Sequence, residues 1–361
     1  MKLKRNNFLF NLLCIILGVL PIITIVIYTI FGRNISPLCV STVAAIPEGL
    51  YGYIEKYDAG EIVFNSIFNT NIGGYGNIGQ SAQSVTEADD SISASVDKAI
   101  IGNIIKKTMS PYSANTKENS VYLSNTTGVS IDISKEMSKP LEFKVTKSNQ
   151  PQILIYHTHA TEGYMNNEED YYTTSDEPRT TDCEKNVVKV GEVIKEQLEM
   201  SGYSVIHDKT LHDYPGYTGS YGRSAETIKK TLEKYPSIKI IIDVHRDSIS
   251  SGDNDKVAPV VEIEGKEAAQ VMLVMGSQTG TITDHPHWKQ NLRLALKLQY
   301  LFETTYPQFA RSLLLRSTKY NQNLSEGAFL IEVGSEANTL EQALYSAELV
   351  GKTLCCLLDS Q

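Results

Sequence analysis

With 361 residues, 41% of them hydrophobic, the chain is long enough for two domains or for one large domain with appendages, and it can bury a real core. A formal charge of -9, with no Lys/Arg-rich face or arm beyond the first five residues, excludes a general nucleic-acid binder. Five cysteines without a C-x-x-C pair or a regular spacing point to neither a zinc ribbon nor a disulfide framework.

At the N-terminus, Lys2, Lys4 and Arg5 precede an uncharged, Leu/Ile/Val-rich stretch from Asn6 to Gly32 that closes at Arg33. That length spans a bilayer as a helix and exceeds the roughly 7–15-residue apolar core of a cleaved signal peptide. Residues 1–33 are therefore expected to be an uncleaved transmembrane anchor with its basic end cytoplasmic, although the small residues Thr42, Val43 and Ala45 leave cleavage open. Pro37 to Thr70 mixes apolar residues, with a short helical pattern from Glu61 to Phe68. Asn71 to Ser95 is so rich in Gly, Ser, Asn, Gln and Asp that it cannot bury enough apolar surface to offset the cost of ordering, which predicts a flexible spacer. Val121 to Val145 alternates weakly and suggests short strands. These features divide the chain into the anchor, an extracytoplasmic juxtamembrane region and spacer over 34–145, and a main domain over 146–361.

In the main domain strands and helices alternate. Ile153 to Tyr156 is an apolar strand that runs directly into His157, His159 and Glu162. Val187, Val190, Ile194 and Leu198 recur at helical spacing between Asn186 and Met200, and Ser201-Gly202 stops that helix before a strand from Tyr203 to Ile206. A second helix covers Ser224 to Tyr235, followed by a strand from Ile238 to Val244 that leads into His245, Arg246 and Asp247. Further strands are expected at Val271 to Met275 and Ala328 to Val333, with helices at Trp288 to Thr305 and Leu340 to Leu358. This order implies an α/β layer fold whose sheet is mostly parallel and flanked by helices, and such sheets place their sites at the strand carboxyl ends.

The chemistry-bearing residues sit at those ends. All seven histidines lie between His157 and His287. Strand alternation puts His157 and His159 on one face, aimed at one ion or one substrate. His245 ends a second strand, and Glu332 interrupts an apolar third one, where a buried carboxylate is costly unless it is paired or functional. A salt bridge to Arg316 or Arg246 is the structural alternative for Glu332. A catalytic zinc takes about three ligands of the His/His/carboxylate kind, keeps an open position for water, and works with a further carboxylate as proton acceptor. His207, His212, His285 and His287 fall in loops, where surface placement is the default expectation. The tyrosine-rich loops from Tyr164 to Tyr172 and from Tyr214 to Tyr221 are candidate groove walls.

The runs Tyr156-His157-Thr158-His159-Ala160-Thr161-Glu162-Gly163-Tyr164, Ser220-Tyr221-Gly222-Arg223-Ser224, Asp243-Val244-His245-Arg246-Asp247 and Leu330-Ile331-Glu332-Val333-Gly334, in that order, resemble the stage II sporulation protein P family from about Val145 to the C-terminus. That family is similar to zinc-dependent N-acetylmuramoyl-L-alanine amidases. The resemblance implies an amidase-like fold, Zn2+ as cofactor, peptidoglycan as substrate, and action between mother cell and forespore with the stage II sporulation proteins D and M. It also implies a second activity on peptide cross-links, for which the chain shows no separate site.

Matched to the amidases, the metal ligands become His159, with His157 as alternative, His245, and a glutamate, with Glu184 ranked ahead of Glu192 and Glu162. Glu332 becomes the general base. Arg246 is assigned to the oxyanion, or else to a salt bridge with Asp247. A membrane-tethered cell-wall binding module that recruits partner hydrolases is the competing reading. No H-E-x-x-H helix supports a zincin.

Overall fold

The computed structural model describes residues 99–361 apart from residue 253, so the expected anchor, juxtamembrane segment and Gly/Ser-rich spacer lie outside the described residues. The described chain begins with β1 (Ile100–Lys107), β2 (Thr116–Glu118), β3 (Val121–Asn125) and α1 (Ile133–Ser138). Next come β4 (Ile153–Tyr156), β5 (Tyr171–Thr173), α2 (Val187–Met200), β6 (Val205–His207), α3 (Ser220–Lys234) and β7 (Ile240–Asp247). The remainder is β8 (Ser250–Ser251), β9 (Asp255–Ile263), β10 (Lys266–Ala269), β11 (Val271–Gly276), α4 (Trp288–Thr305), β12 (Leu313–Arg316), β13 (Ala328–Ser335) and α5 (Leu340–Asp359). Because β1 to β3 are part of the two sheets, the folded unit extends to the N-terminal side of residue 146.

The larger sheet has eight strands in the order β2-β3-β12-β11-β13-β7-β4-β6. The expectation of a mostly parallel sheet is corrected, because the sheet is mixed. β6, β4, β7 and β13 are mutually parallel; β11 runs against β13 and carries β12 and β3 with it. The cause is the route of the chain. A parallel return needs a crossover, usually helical, and residues 248–270 contain none. They stay at the carboxyl edge as β8, β9 and β10, so β11 can enter the sheet only in the reverse direction. The β9–β10 hairpin turns at Glu264-Gly265, both at positive φ, a backbone geometry suited to a two-residue hairpin loop. β9 also pairs with β8 and with β1, and β1 with β5, completing a second, smaller sheet in which only β1 and β9 are parallel.

Alternation along the large sheet sorts its residues onto two faces. One carries Leu154, Tyr156, Ile241 and Ala328, packed on Ile228 of α3. The other carries Ile153, Ile155, Ile242, Val244, Phe329 and Ile331, with Val187, Val190, Ile194 and Leu198 of α2 and the apolar sides of α4 and α5. The spacing that predicted α2 is thus its buried stripe, and Asn186 caps its start by accepting from Val188 N. In α5, Thr339 and Gln342 form a reciprocal capping box. α3 begins at Ser220, four residues before its expected start, after Gly219 at φ 83°.

Candidate functional site

Three adjacent parallel strands, β4, β7 and β13, end at the same edge, and their register decides which side chains meet. Glu332 is the cross-strand partner of His245, and Tyr156 is that of Asp243. Asp243, His245 and Glu332 therefore project from one face in a row. On β7 the alternation sends Arg246 to the opposite face, beside Val244.

β4 stops at Tyr156, and residues 158–161 form turns, held by Asp243, which accepts from Thr158 N at 2.8 Å and from Thr158 Oγ1 at 2.6 Å. Strand alternation fails beyond that point, which corrects the expectation that His157 and His159 share a face. His157 is wholly buried toward α2, with Nδ1 donating to Val244 O at 2.9 Å and Nε2 2.9 Å from His207 Nε2. His207 Nδ1 lies 2.9 Å from Glu192 Oε2. His159 instead stands next to His245, with ring centroids 5.3 Å apart and planes at 85°.

His159 is boxed by aromatic rings. Tyr217 stacks on it at 4.4 Å with planes 9° apart, and Tyr221 meets it edge-on at 5.6 Å. The Tyr217 hydroxyl lies 3.0 Å from His159 Nε2, and Ser220 Oγ lies 3.3 Å from Nδ1. Both tyrosine-rich loops contribute, since Tyr164 buries its ring and donates to Val333 O at 3.0 Å.

His245 lies between two carboxylates, 3.4 Å from Glu162 (Nδ1 to Oε2) and 2.9 Å from Asp243 (Nε2 to Oδ1). The second contact is an ion pair without hydrogen-bond alignment, so Nε2 is a buried ring nitrogen with no hydrogen-bond partner. Burial opposes charge on His245, but Asp243 and then Glu162 hold its pKa well above the usual value. Burial likewise works against ionised Glu162 and Asp243, and His245 outweighs it, holding both below the ordinary carboxylate range. Glu332 behaves oppositely. Burial, reinforced by Asp247 and Glu162, pushes it up to about 8 against the pull of His245 and Arg311, and its Oε2 has no hydrogen-bond partner. A carboxyl poised near neutral pH beside a histidine is suited to proton transfer. Burial lowers His159 to about 3, so this ring is neutral and fit to bind a ligand.

Donor type at this cluster fits zinc: two imidazoles, a carboxylate, and an orphaned ring nitrogen on His245. Among the described residues no three His, Cys, Asp or Glu side chains are already gathered around one point. His159 is engaged on both nitrogens and has to release one to hold an ion. The carboxylate at the cluster is Glu162. Glu184, ranked first by the match to the amidases, is not brought there: α2 is capped by Asn186, so Glu184 lies outside the helix, with its side chain 72% exposed and paired to Lys189 at 2.6 Å. Glu192 is held by His207, Lys209 and Lys195.

Arg246 is also not brought to the cluster. Its Nε donates to Gly163 O at 2.6 Å, Nη1 to Asp247 O at 3.2 Å, and Nη2 to Pro178 O. The guanidinium therefore clamps the backbone under the site, and Asp247 pairs with Arg311 at 2.8 Å instead. Its backbone N donates to Glu162 Oε2 at 3.1 Å, which helps to fix that carboxylate. The surface expectation is corrected for three histidines: His212 and His285 are buried, and the His207 side chain is only 2% exposed. Asp243 and Tyr217 were legible only as parts of a motif and of a groove wall. For Asp243 the signal was its position two residues before His245, on the same strand face.

Gly191 of α2 lies under His157 and His207; a Cβ there would stand 2.8 Å from His157 Cε1 and Nε2 and 2.9 Å from His207 Nε2. Glycine to alanine inside a helix ordinarily stabilises by up to ~1 kcal/mol. Here Gly191→Ala is expected to destabilise by about 1–3 kcal/mol through overpacking, read by thermal melting. A melting temperature that rises instead would refute the close packing of the histidine pair.

Comparison with known proteins gives a family match and a set of distant folds. A family model described as Stage II sporulation protein P matches residues 65–354. Stage II sporulation protein P of Bacillus subtilis (strain 168) is 28% identical over 210 residues, 55% of this chain, which spans about half (49%) of that relative's length. Solved structures with similarity include the N-acetylmuramyl-L-alanine amidase of Mycobacterium smegmatis, at 12% identity and TM-score 0.35 over 59% of this chain and 99% of that one. Another is the CwlD amidase of Clostridioides difficile, solved with the GerS lipoprotein, at 12% identity and TM-score 0.34 over 58% of this chain and 100% of that one. Superpositions of that quality carry no inference about fold or chemistry. The family match covers most of the chain and includes every strand tip of the cluster, and by it the chain belongs to the stage II sporulation protein P family.

Proposed function

We propose that this chain is a zinc-dependent peptidoglycan hydrolase that cuts the amide bond between N-acetylmuramic acid and the stem peptide during septal wall degradation and engulfment in sporulation. The observation that carries the reading is the cross-strand pairing of His245 with Glu332, with His159 and Glu162 closing around the same histidine. His159, His245 and Glu162 would hold the ion. Bound zinc would lower the pKa of a water and polarise the scissile carbonyl.

The chain's own residues supply the remainder. Asp243 and the Arg246 backbone N orient His245 and Glu162. Glu332, next to His245 on the neighbouring strand, takes the proton of the attacking water and returns it to the leaving amine nitrogen. Tyr217 and Tyr221 wall one side of the reaction site and limit water around His159. The stretch from Asn6 to Gly32 would tether the protein to the membrane with the folded unit outside, where the stage II sporulation proteins D and M would be its partners. Cleavage of peptide cross-links would use the same strand-tip cluster.

Muropeptide mass spectrometry after digestion of purified peptidoglycan tests the bond assignment. The expected products are glycan strands free of stem peptide, and products missing only cross-links would overturn it. Chelation is expected to lower the rate by at least ~10²-fold, with recovery on adding one equivalent of Zn2+. Unchanged cleavage in the presence of chelator would favour a metal-free hydrolase.

A further inference from the structure

With Arg246 bonded to backbone carbonyls on the far face of β7, the guanidinium that stands beside Glu332 is that of Arg311, which sequence reasoning missed. Its backbone is fixed between β11 and α4: Arg311 N donates to Val271 O at 2.8 Å, and Gln299 Nε2 donates to Arg311 O at 3.2 Å. Its side chain, 7% exposed, reaches back toward β7 and donates from Nη1 to Asp247 Oδ2 at 2.8 Å. Asp247 lies two residues beyond His245, so alternation puts it on the face that carries His245 and Glu332, one step nearer the strand tips. Arg311 accordingly draws the Glu332 carboxyl down, against the push of burial and of Asp247.

The pairing with Asp247 leaves one edge of the guanidinium unused. Nε and Nη2 are buried and have no hydrogen-bond partner. Their N–H bonds leave the same edge of a planar group, spaced for the two oxygens of a single carboxylate. A buried cation with two unmade hydrogen bonds works against stability, so this edge calls for a ligand. Strand order supplies a direction. His159 and Glu162 approach His245 from the β4 side and Arg311 comes from the β11 side, with Glu332 of β13 between them. Glu332 returns its proton to the leaving amine, so the part of the substrate beyond that nitrogen extends toward Arg311.

We propose that Arg311 is a specificity-determining residue whose Nε–Nη2 edge binds a free carboxylate of the stem peptide, on the leaving-amine side of the scissile bond. The inference rests on the amidase reading above. A stem peptide offers two such groups, the α-carboxylate that a γ-linked glutamate leaves free and the C-terminal carboxylate. Either would satisfy both donors at once and neutralise the charge that Asp247 shares. A carboxamide in the same place presents one oxygen and sets its NH2 group against the second donor, so the site discriminates by repulsion as well as by attraction.

The test compares full-length wild type with Arg311→Lys on three soluble muropeptides: one with both carboxylates free, one with the glutamate α-carboxylate amidated, and one with the C-terminus amidated. The expected result for wild type is a fall in kcat/KM of about 10²-fold on at least one amidated substrate, which identifies the carboxylate bound. Lysine keeps the charge beside Asp247 and Glu332 but not the fork, so in the variant the preference should shrink to about threefold or less. Wild-type rates within about threefold of one another on all three substrates overturn the proposal. So does a variant that keeps the preference, or one that slows all three equally, because the guanidinium would then serve a feature common to them. Arg311→Gln, which retains a donor for Asp247, is read by the same criteria, and if neither variant folds the wild-type ratios decide. Wild type that binds zinc but cuts none of the three overturns the amidase reading and this inference with it, whereas active wild type without a preference overturns this inference alone.

Discussion

Glu332→Gln is expected to abolish hydrolysis, lowering kcat by ~10²–10⁴-fold, while zinc binding and the fold survive. The substitution preserves shape and removes the carboxyl that burial pushes up to about 8. Its cross-strand neighbour His245 keeps both carboxylate partners, so the donor set is untouched. Retention of the wild-type rate on peptidoglycan would show that another group takes the proton. The same residue carries a pH signature in the metal-free protein. A carboxyl raised to about 8 binds its proton more tightly in the folded state, so it contributes stability below its unfolded value, and that contribution fades as pH rises through 8. His245, also raised, acts in the same direction above its own unfolded value, and Glu162, depressed, contributes no slope above pH 5. Metal-free wild type should therefore lose about 2 kcal/mol attributable to Glu332 between pH 5 and 8, allowing for partial exposure of the side chain. Melting curves at the two pH values should show a shallower dependence in Glu332→Gln.

The second large effect separates Glu162 from Glu184. Glu162 is buried, takes the Arg246 backbone N, and faces His245 and Arg179. Glu162→Ala leaves the buried Arg246 N–H without its acceptor and takes one of two carboxylates from each of His245 and Arg179, and is expected to cost about 3 kcal/mol of stability along with stoichiometric zinc binding. Glu184→Ala breaks one exposed contact with Lys189 and should stay within about 0.5 kcal/mol of wild type, with zinc binding unchanged. Zinc titration and chemical denaturation of both variants decide the assignment. Loss of the metal in Glu184→Ala alone would reverse it.

The strand tips were readable because an uninterrupted apolar run that ends in His or contains a lone Glu has few bland explanations. That logic located β4, β7 and β13, and it placed Glu332 and His245 together once their strands proved adjacent. It failed where it assumed that a strand continues. His157 and His159 share a face only if β4 runs on, and Asp243 ends it by capping Thr158. Glu184 falls outside α2, because the helix start is set by Asn186, two residues further on. β9 escaped notice because Pro259 sits within its apolar run and argues against a strand. Without β8 to β10, nothing in the local pattern could reveal that β11 reverses direction.

The backbone clamp under Glu162 has a consequence for how this molecule can vary. Residues 161–163 are tied to 178–187 by Thr180 N to Thr161 O, Gly163 N to Pro178 O and Val187 N to Glu162 O, and Arg246 binds the carbonyls of both Gly163 and Pro178. The excursion between these points, which carries β5 out to the smaller sheet, is therefore a lariat closed at its neck. Changes of length or sequence in its exposed stretch from Asn166 to Asp170 end at that neck and leave the bearing of Glu162 unaltered. Evolution can thus rebuild the outer surface, and with it what the protein docks against, while the strand-tip cluster keeps its geometry.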